Sequence, residues 1–301
     1  MRASCFALAA FVVWGAAGCG ATPKPPDGSA PPAEVLYLVH NEIWRIGADG
    51  TGAARLATVG DDGYRTAFPR RLADGQLALL ADDTGAIYPY LVSQGQIHTV
   101  GATNVTIHDS IAAATIGGAA ALVYTVTPYV GGRAALMRAN PAGSDVQGVA
   151  LELGGVLSDP SPWDDGSVLV VRSARGQVTI EILDIAGGNT REVLATVDAP
   201  YSAHAPARLP DGRVVFVRTD PRDSTDTAIG ELFVLDRGGV ARTTGITGVL
   251  ALVVVGNDIV YEAGGADGVT DLIRTNLVDP PVNLTRTPTV AEHLGWSDSS
   301  H

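Results

Sequence analysis

Short runs of alternating apolar and polar residues, separated by Gly- and Asp-rich turns, extend from residue 35 to residue 297. Residues 35–39 and 42–46 form the first pair of runs, and residues 168–172 and 179–184 repeat the pattern. A period of two between turn residues is typical of half-buried antiparallel strands that are joined as hairpins. Because no stretch after the N-terminal segment keeps the 3.6-residue period of a helix, we predict an almost entirely β protein.

One turn recurs along the chain at nearly constant intervals. The clearest copies are residues 69–75 (PRRLADG), 206–212 (PARLPDG) and 161–166 (SPWDDG). Two degenerate copies lie between and after them, at Gly117-Gly118 and Asn257-Asp258. The second residue of the turn therefore falls at positions 75, 118, 166, 212 and 258, in steps of 43, 48, 46 and 46. A period in the forties with short strands is typical of a propeller or an array of repeats.

The strand pattern repeats in six units, and the first unit lacks an inner strand before its own turn. Residues 289–297 (TVAEHLGWS) match the segment that precedes the other turns, and they supply the missing strand. We therefore predict an all-β fold, a six-bladed β-propeller with four antiparallel strands per blade. In this prediction the C-terminal strand joins the N-terminal blade and closes the ring, which removes exposed strand edges that favour aggregation.

The turn motif and the end of the last outer strand connect the chain with a known family. A Pro-x-x-x-x-Asp-Gly run before an apolar strand, together with residues 283–288 (NLTRTP), resembles the TolB-like (WD40-like, PD40) six-bladed β-propellers. Residues 295–298 (GWSD) resemble the start of a further family motif, with Asp298 where proline is usual. The resemblance covers residues 34–301 and implies the propeller fold. Its implication for function is broad, because binding proteins, receptors and non-catalytic domains of enzymes all use this propeller.

The N-terminal segment predicts export. Arg2, the apolar residues 5–14 and the small residues 15–18 form the three parts of a signal peptide over residues 1–18. Residues 16–19 (AAGC) resemble the lipobox of bacterial lipoproteins, with Ala16 where leucine is usual, and predict lipid attachment at Cys19. Each buried methylene of an acyl chain contributes about 0.8 kcal/mol, so several chains make a durable anchor.

The predicted location follows from the same resemblance. Gly20 after the cysteine favours an outer-membrane lipoprotein of the bacterial cell envelope, facing the periplasm or the cell surface. A secreted or soluble periplasmic protein is the alternative, in which Cys19 is only a small residue near the cleavage site. The Pro-rich residues 19–33 predict an extended tether, and residues 34–301 the propeller.

Composition narrows the expected partners. The chain has 32 acidic and 20 basic residues and a net charge of −12, which argues against nucleic acid as a partner and leaves the lipid anchor as the expected membrane contact.

The sequence contains no Gly-x-Ser-x-Gly, Ser-x-x-Lys or His-Glu-x-x-His motif, and Cys5 and Cys19 are its two cysteines. We therefore expect no cofactor and no catalytic residue. The resemblance to TolB-like propellers implies that this lipoprotein binds an envelope protein or peptide through one face or the central channel. We expect it to be a monomer and to act without chemistry.

The candidate binding residues lie just before or within the predicted inner strands, where we expect them to line the channel. They are Tyr64, Arg65, His108, Asp109, Asp159, Tyr201, His204, Glu292 and His293. Trp163 lies next to an inter-blade turn, and we predict that it packs between blades instead of binding a partner.

Two other functions stay open at this point. Imidazoles and carboxylates at a channel mouth are ligands for divalent cations, and some propeller polysaccharide lyases that resemble this family hold histidine ligands there. A divalent cation on His108, His204 and His293, in a carbohydrate-active lyase or hydrolase, is thus an alternative. Structural histidines are the favoured interpretation, since the three lie at different distances from their turns. A structural or adhesive spacer is the remaining alternative.

Overall fold

The computed structural model describes residues 33–59, 65–83, 86–93, 96–100, 106–107, 110–128, 134–152, 155–187, 190–222, 229–264, 269–285 and 294. The chain divides into two units, Met1–Pro32 and Ala33–His301, and the description concerns the second. The predicted signal peptide, Cys19 and nearly all of the tether lie outside the described residues. No helix in the described ranges is long and apolar enough to cross a bilayer.

The described residues form strands and turns and contain no helix, which confirms the β class predicted from the two-residue alternation. Every strand pairing in the described ranges is antiparallel. The first sheet has the order β1-β2-β3 and the second the order β4-β5-β6-β7. Their strands are β1 Glu34–Val39, β2 Glu42–Gly47, β3 Ala54–Thr58, β4 Arg65–Arg71, β5 Leu77–Asp83, β6 Ala86–Ser93 and β7 Gln96–Thr99.

Two further sheets follow in chain order. The third has the order β12-β11-β10-β8, and β9 also pairs with β10, along its first six residues. The fourth has the order β13-β14-β15-β16. Their strands are β8 Thr106–Ile107, β9 Ile111–Ile116, β10 Ala119–Pro128, β11 Ala134–Ala139, β12 Gln147–Glu152, β13 Gly155–Asp164, β14 Ser167–Ala174, β15 Gln177–Asp184 and β16 Thr190–Val197.

The last seven strands form one continuous sheet, whereas the sequence pattern predicted two separate groups. They are β17 Ser202–Arg208, β18 Val214–Thr219, β19 Gly230–Leu235, β20 Ala241–Val255, β21 Asp258–Gly264, β22 Thr270–Thr275 and β23 Val282–Asn283. The 15-residue β20 pairs with β19 through its first part and with β21 from Val249 onward. Gly245 and Gly248 have φ of 75° and 79°, values that side chains disfavour, and they let β20 continue from one strand group into the next.

The recurring Asp-Gly turn has a clear structural basis. Gly75 N–H donates to the Leu72 carbonyl at 2.9 Å, and Gly212 N–H donates to Leu209 at the same distance. The aspartate that precedes each glycine accepts a backbone N–H two residues later through its side chain. This is a hairpin with a left-handed glycine, which explains the motif. The fifth turn lies at Gly256-Asn257, one residue earlier than predicted, because Val255 pairs with Asp258.

Six clusters of buried hydrophobic residues occur within the described ranges, and each joins two strand groups that are neighbours. Leu80 of β5 packs in a cluster with Leu122 of β10, and Leu169 of β14 packs in another with Phe216 of β18. Burying such side chains contributes roughly 1.5–3 kcal/mol each. Alternate positions of strands such as β5, β10, β14 and β18 therefore pack against the strand groups on their two sides.

Contacts also join the two ends of the folded unit. Val35 and Tyr37 of β1 share a buried cluster with Val260 and Leu272 of the last sheet. Arg274 Nη1 donates to the carbonyl of Ala48 at 3.0 Å, across 226 residues of sequence. The first and last sheets are therefore in direct contact.

Candidate functional site

A cavity of about 410 Å³ lies where inner strands from every sheet converge. Its walls are apolar for most of their area, with a small number of charged side chains. This volume falls within the usual range of ligand sites, and such a mixture of surfaces is typical of them. The wall consists of Glu34–Leu36, Phe68–Arg71, Ser110, Ile111, Ala113, Asp159–Pro162, Ala205–Arg208, Ala251–Val255 and Leu294.

Three of the inner strands reach the cavity through the same backbone feature. Phe68, Asp159 and Ala205 have φ of 53°, 51° and 47°, and each precedes a proline. Each lies seven residues before the glycine of its turn, where the strand slips in register against its neighbour. Non-glycine residues in this region cost on the order of 1–3 kcal/mol, and such strain concentrates at functional sites.

Arg70 and Asp159 bring opposite charges to the cavity. Arg70 Nη1 donates to the carbonyl of Pro69 at 3.0 Å, and its guanidinium lies 5.8 Å from the centre of the Phe68 ring. Burial lowers the pKa of Arg70 to about 10, and the carboxylate of Asp159 opposes that shift. Asp159 is held by its backbone N–H, which donates to Ser110 Oγ at 2.8 Å. Arg70 therefore remains a cation at neutral pH.

The other cationic side chains of the wall have partners. Arg71 forms an ion pair with Glu34, which also lies 3.7 Å from Arg45. Arg208 Nη1 donates to the carbonyl of Trp163 at 2.6 Å and its guanidinium stacks over the indole ring. Trp163 thus packs against the neighbouring strand β17. This contact agrees with the prediction that Trp163 packs between blades.

His204 lies on β17 next to the cavity wall. Its Nε2 is 3.2 Å from the carbonyl of Leu250 on β20, so the imidazole bridges two strands. Burial lowers the pKa of His204, while the Asp159 carboxylate and the bond to Leu250 oppose the shift. The ring is therefore neutral at pH 7 and donates its proton to the carbonyl.

The structure places three of the predicted site residues in different surroundings. Asp159 lines the cavity, and His204 lies behind its wall. Tyr201 packs against Arg218, whose guanidinium is 4.2 Å from the ring centre, and it does not line the cavity. Arg65 is described as the first residue of β4. The other predicted residues, Tyr64, His108, Asp109, Glu292 and His293, lie outside the described residues.

Of the three histidines predicted as alternative ligands for a divalent cation, the structure describes His204. Its imidazole is hydrogen-bonded to the carbonyl of Leu250. In the described part of the chain, no three His, Cys, Asp or Glu side chains are grouped as metal ligands would be. His108 and His293 lie outside that part.

Known proteins identify the fold. No protein-family model and no curated protein matches the sequence. Solved structures do match. TolB from Acinetobacter baumannii superposes with a TM-score of 0.64 at 13% identity, over 88% of this chain and 66% of that one. The fold is that of a TolB-like β-propeller.

The TolB-like fold also occurs in enzymes that match this chain. A Mycobacterium tuberculosis puromycin-hydrolyzing peptidase has a TM-score of 0.55 at 16% identity, over 85% of this chain and 44% of that chain. An oligogalacturonate lyase in complex with manganese has a TM-score of 0.51 at 15% identity, over 78% and 68% of the two chains. This chain therefore spans less than half of the peptidase and about two thirds of TolB. Likeness at such identities shows the fold and leaves the function to the site.

Arg70, a charged residue of the cavity wall, was not among the residues predicted from the sequence. The signal was present in the repeated motif, because Pro69, Pro160 and Pro206 all lie six residues before the turn glycine. The residues around these prolines face the cavity. Burial of Arg70 depends on the strands opposite it, which no local pattern specifies.

Proposed function

We propose that this chain is a non-enzymatic lipoprotein of the bacterial envelope that binds a protein or peptide partner through the central cavity of its propeller. The observation that carries the proposal is the convergence of strained inner-strand segments and unlike charges on one apolar-walled cavity. Preorganised polar groups in an apolar cleft give a site its specificity. In this proposal the propeller acts without chemistry, by presenting a rigid surface.

The proposed architecture is a closed ring of six blades. The six buried clusters support this number, since the last cluster contains residues of both the first and the last sheets. In the proposed ring, β20 serves two blades and residues 289–297 complete the blade of β1, β2 and β3. Leu294 supports that role because it is buried against Val35 and its N–H donates to Glu262.

The proposed location rests on the N-terminal sequence. Lipidation at Cys19 after cleavage of residues 1–18 anchors the protein in the outer membrane, and residues 19–33 hold the propeller away from the bilayer. The domain is a monomer that faces the periplasm or the cell surface. Labelling cells with radioactive palmitate tests this part, and loss of the label in Cys19→Ser is the expected result.

Blocking the cavity tests the binding function directly. Ala113 lines the wall, and a tryptophan at this position fills part of the volume. We expect Ala113→Trp to lose the envelope partner in affinity capture, while Ser173→Trp, at the exposed end of β14, retains it. Retention by a folded Ala113→Trp variant would place partner binding elsewhere on the propeller.

A carbohydrate-active lyase or hydrolase is the second candidate. Its supporting observation is that a carboxylate, Asp159, lines the cavity and an imidazole, His204, lies beside the cavity wall. The likeness to an oligogalacturonate lyase is one of fold. Release of unsaturated or reducing ends from acidic polysaccharides by the purified chain, and loss of that activity in His204→Gln, is the result that would favour the enzyme.

A further inference from the structure

The guanidinium of Arg70 has more donors than partners. Arginine carries five N–H groups, and in the described part of the chain Arg70 uses one of them, toward the carbonyl of the adjacent Pro69. Arg71 and Arg208, the other two arginines of the wall, are engaged by Glu34 and by Trp163. The remaining donors of Arg70 are available to a ligand in the cavity.

Asp159 is the complementary group. Its backbone is fixed by Ser110 and by the left-handed step before Pro160, so the fold sets the point from which its side chain extends. Among the described residues, its carboxylate has neither a hydrogen bond nor an ion pair. Arg70 and Asp159 interact through space, yet they form no direct ion pair with each other. Two opposite charges therefore line one cavity and stay separate.

Separate unlike charges in an apolar cavity select a ligand that carries both charges. A purely anionic ligand is repelled by Asp159, and a purely cationic ligand by Arg70. Each of the two side chains loses water on binding, which is compensated only by an ionic or hydrogen-bonded partner. Apolar surface in the same cavity comes from Phe68, Pro69, Pro160 and Leu252.

We propose that the cavity recognises a short zwitterionic peptide, with the carboxylate of the peptide on Arg70 and its ammonium group on Asp159. This inference rests on the proposed binding function of the same cavity and specifies its ligand class. A guanidinium pairs with a carboxylate through two parallel N–H···O bonds, which favours a free C-terminal carboxylate over a backbone carbonyl. The cavity volume of about 410 Å³ suits a ligand of a few residues.

The test uses three peptides that differ in their end groups alone. Ala-Ala-Ala has both charges, Ala-Ala-Ala-amide lacks the carboxylate, and N-acetyl-Ala-Ala-Ala lacks the ammonium group. Calorimetric titration into the full mature chain gives the three affinities. We expect the unblocked peptide to bind at least about tenfold more tightly than either blocked form, because each blocked form loses one charge-assisted hydrogen bond.

Single substitutions assign each end group to its partner. Arg70→Gln should bind Ala-Ala-Ala and its amide equally, and Arg70→Lys should keep part of the preference because it keeps the charge. Asp159→Asn should bind Ala-Ala-Ala and its N-acetyl form equally. Asparagine tolerates the left-handed φ of this position, so the variant keeps the backbone. Arg242→Gln, an exposed arginine on β20, is the control and should behave as the wild type.

The outcomes separate the inference from the function on which it rests. Equal affinity for the three peptides, or a preference for the free carboxylate over the amide that persists in Arg70→Gln, overturns the zwitterion site. If none of the peptides binds while Ala113→Trp still abolishes partner capture, the zwitterion site is wrong and the binding function stands. If neither peptide nor partner depends on the cavity, both proposals are wrong.

Discussion

The guanidinium carbon of Arg208 lies 4.4 Å from the centroid of the Trp163 ring, and Arg208 Nη1 donates a 2.6 Å hydrogen bond to the Trp163 carbonyl. The two residues belong to β17 and β13, the inner strands of neighbouring sheets. Both interactions therefore hold one sheet against the next at the edge of the cavity. A stacked cation contributes about 0.5–2 kcal/mol, and a hydrogen bond from a charged donor about 1.5–3 kcal/mol.

Replacing Arg208 should loosen this junction. We expect Arg208→Ala to lower the free energy of unfolding by about 2 kcal/mol, and Arg208→Lys to lose part of that because a lysine stacks less well. Urea denaturation measures both. Arg242→Ala is the matched control, since its side chain is mostly exposed, and it should change stability by no more than about 0.5 kcal/mol. If Arg208→Ala and Arg242→Ala lowered the free energy of unfolding equally, the contact between Arg208 and Trp163 would not stabilise the packing of the two sheets.

His204 should make stability depend on pH. Burial lowers its pKa in the folded state, so below the unfolded value of about 6.5 the unfolded chain binds the proton more readily. The stabilisation is therefore present above pH 6.5 and is lost as pH falls. We expect the wild type to lose more stability between pH 7.5 and 5.5 than His204→Gln does. Parallel curves for the two proteins would show that His204 does not titrate in this way.

Glu262 should hold the C-terminal segment in place. Its buried Oε2 accepts the N–H of Leu294 at 2.9 Å. In Glu262→Ala the N–H loses this acceptor, at a cost of about 1–3 kcal/mol, whereas Glu262→Gln keeps an acceptor oxygen. Hydrogen exchange at the Leu294 amide should thus be faster in the alanine variant than in the glutamine variant. The same slow exchange in all three proteins would mean that the segment is anchored by other contacts.

The left-handed step at Ala205 offers a test of backbone strain. A left-handed backbone conformation destabilises an L-residue by roughly 1–2 kcal/mol, whereas glycine adopts it without this strain. Ala207, two residues later on the same strand, has no such strain. Its mutation to glycine removes a buried methyl group and increases the conformational entropy that the chain loses on folding, with no strain relieved. We expect Ala205→Gly to be more stable than Ala207→Gly by on the order of 1 kcal/mol in urea denaturation. The reverse order would show that position 205 is relaxed.

Local features of the fold could be predicted from the sequence. The Asp-Gly turns at Gly75 and Gly212 and the strands around them follow from side-chain hydrogen bonds and left-handed glycines, which act over a few residues. The turn at Gly256-Asn257 was displaced by one residue because it lacks the aspartate that fixes the other turns.

Features that depend on several sheets escaped prediction. The continuous β20 was not predicted, because Gly245 and Gly248 serve as bends within one strand and do not end it. Asp159 was named as a candidate from its position before a turn, and it lines the cavity. Arg70 was not predicted as a site residue, because its lowered pKa and its unused N–H donors depend on the strands that surround it in the fold. Tyr201 was expected at the channel and instead stacks with Arg218, a partner 17 residues away in sequence.

Photo-crosslinking from inside the cavity tests the central claim most directly. A benzoylphenylalanine replaces Ser161 in the cavity wall, or Ser173 on the exposed side of the fourth sheet, in the full-length protein in its native envelope. We expect a discrete adduct with a protein or peptide from position 161, absent from position 173 and lost in the presence of excess unlabelled protein. If the probe at position 173 formed adducts while the probe at position 161 formed none in a folded protein, the cavity would not be the partner-binding site.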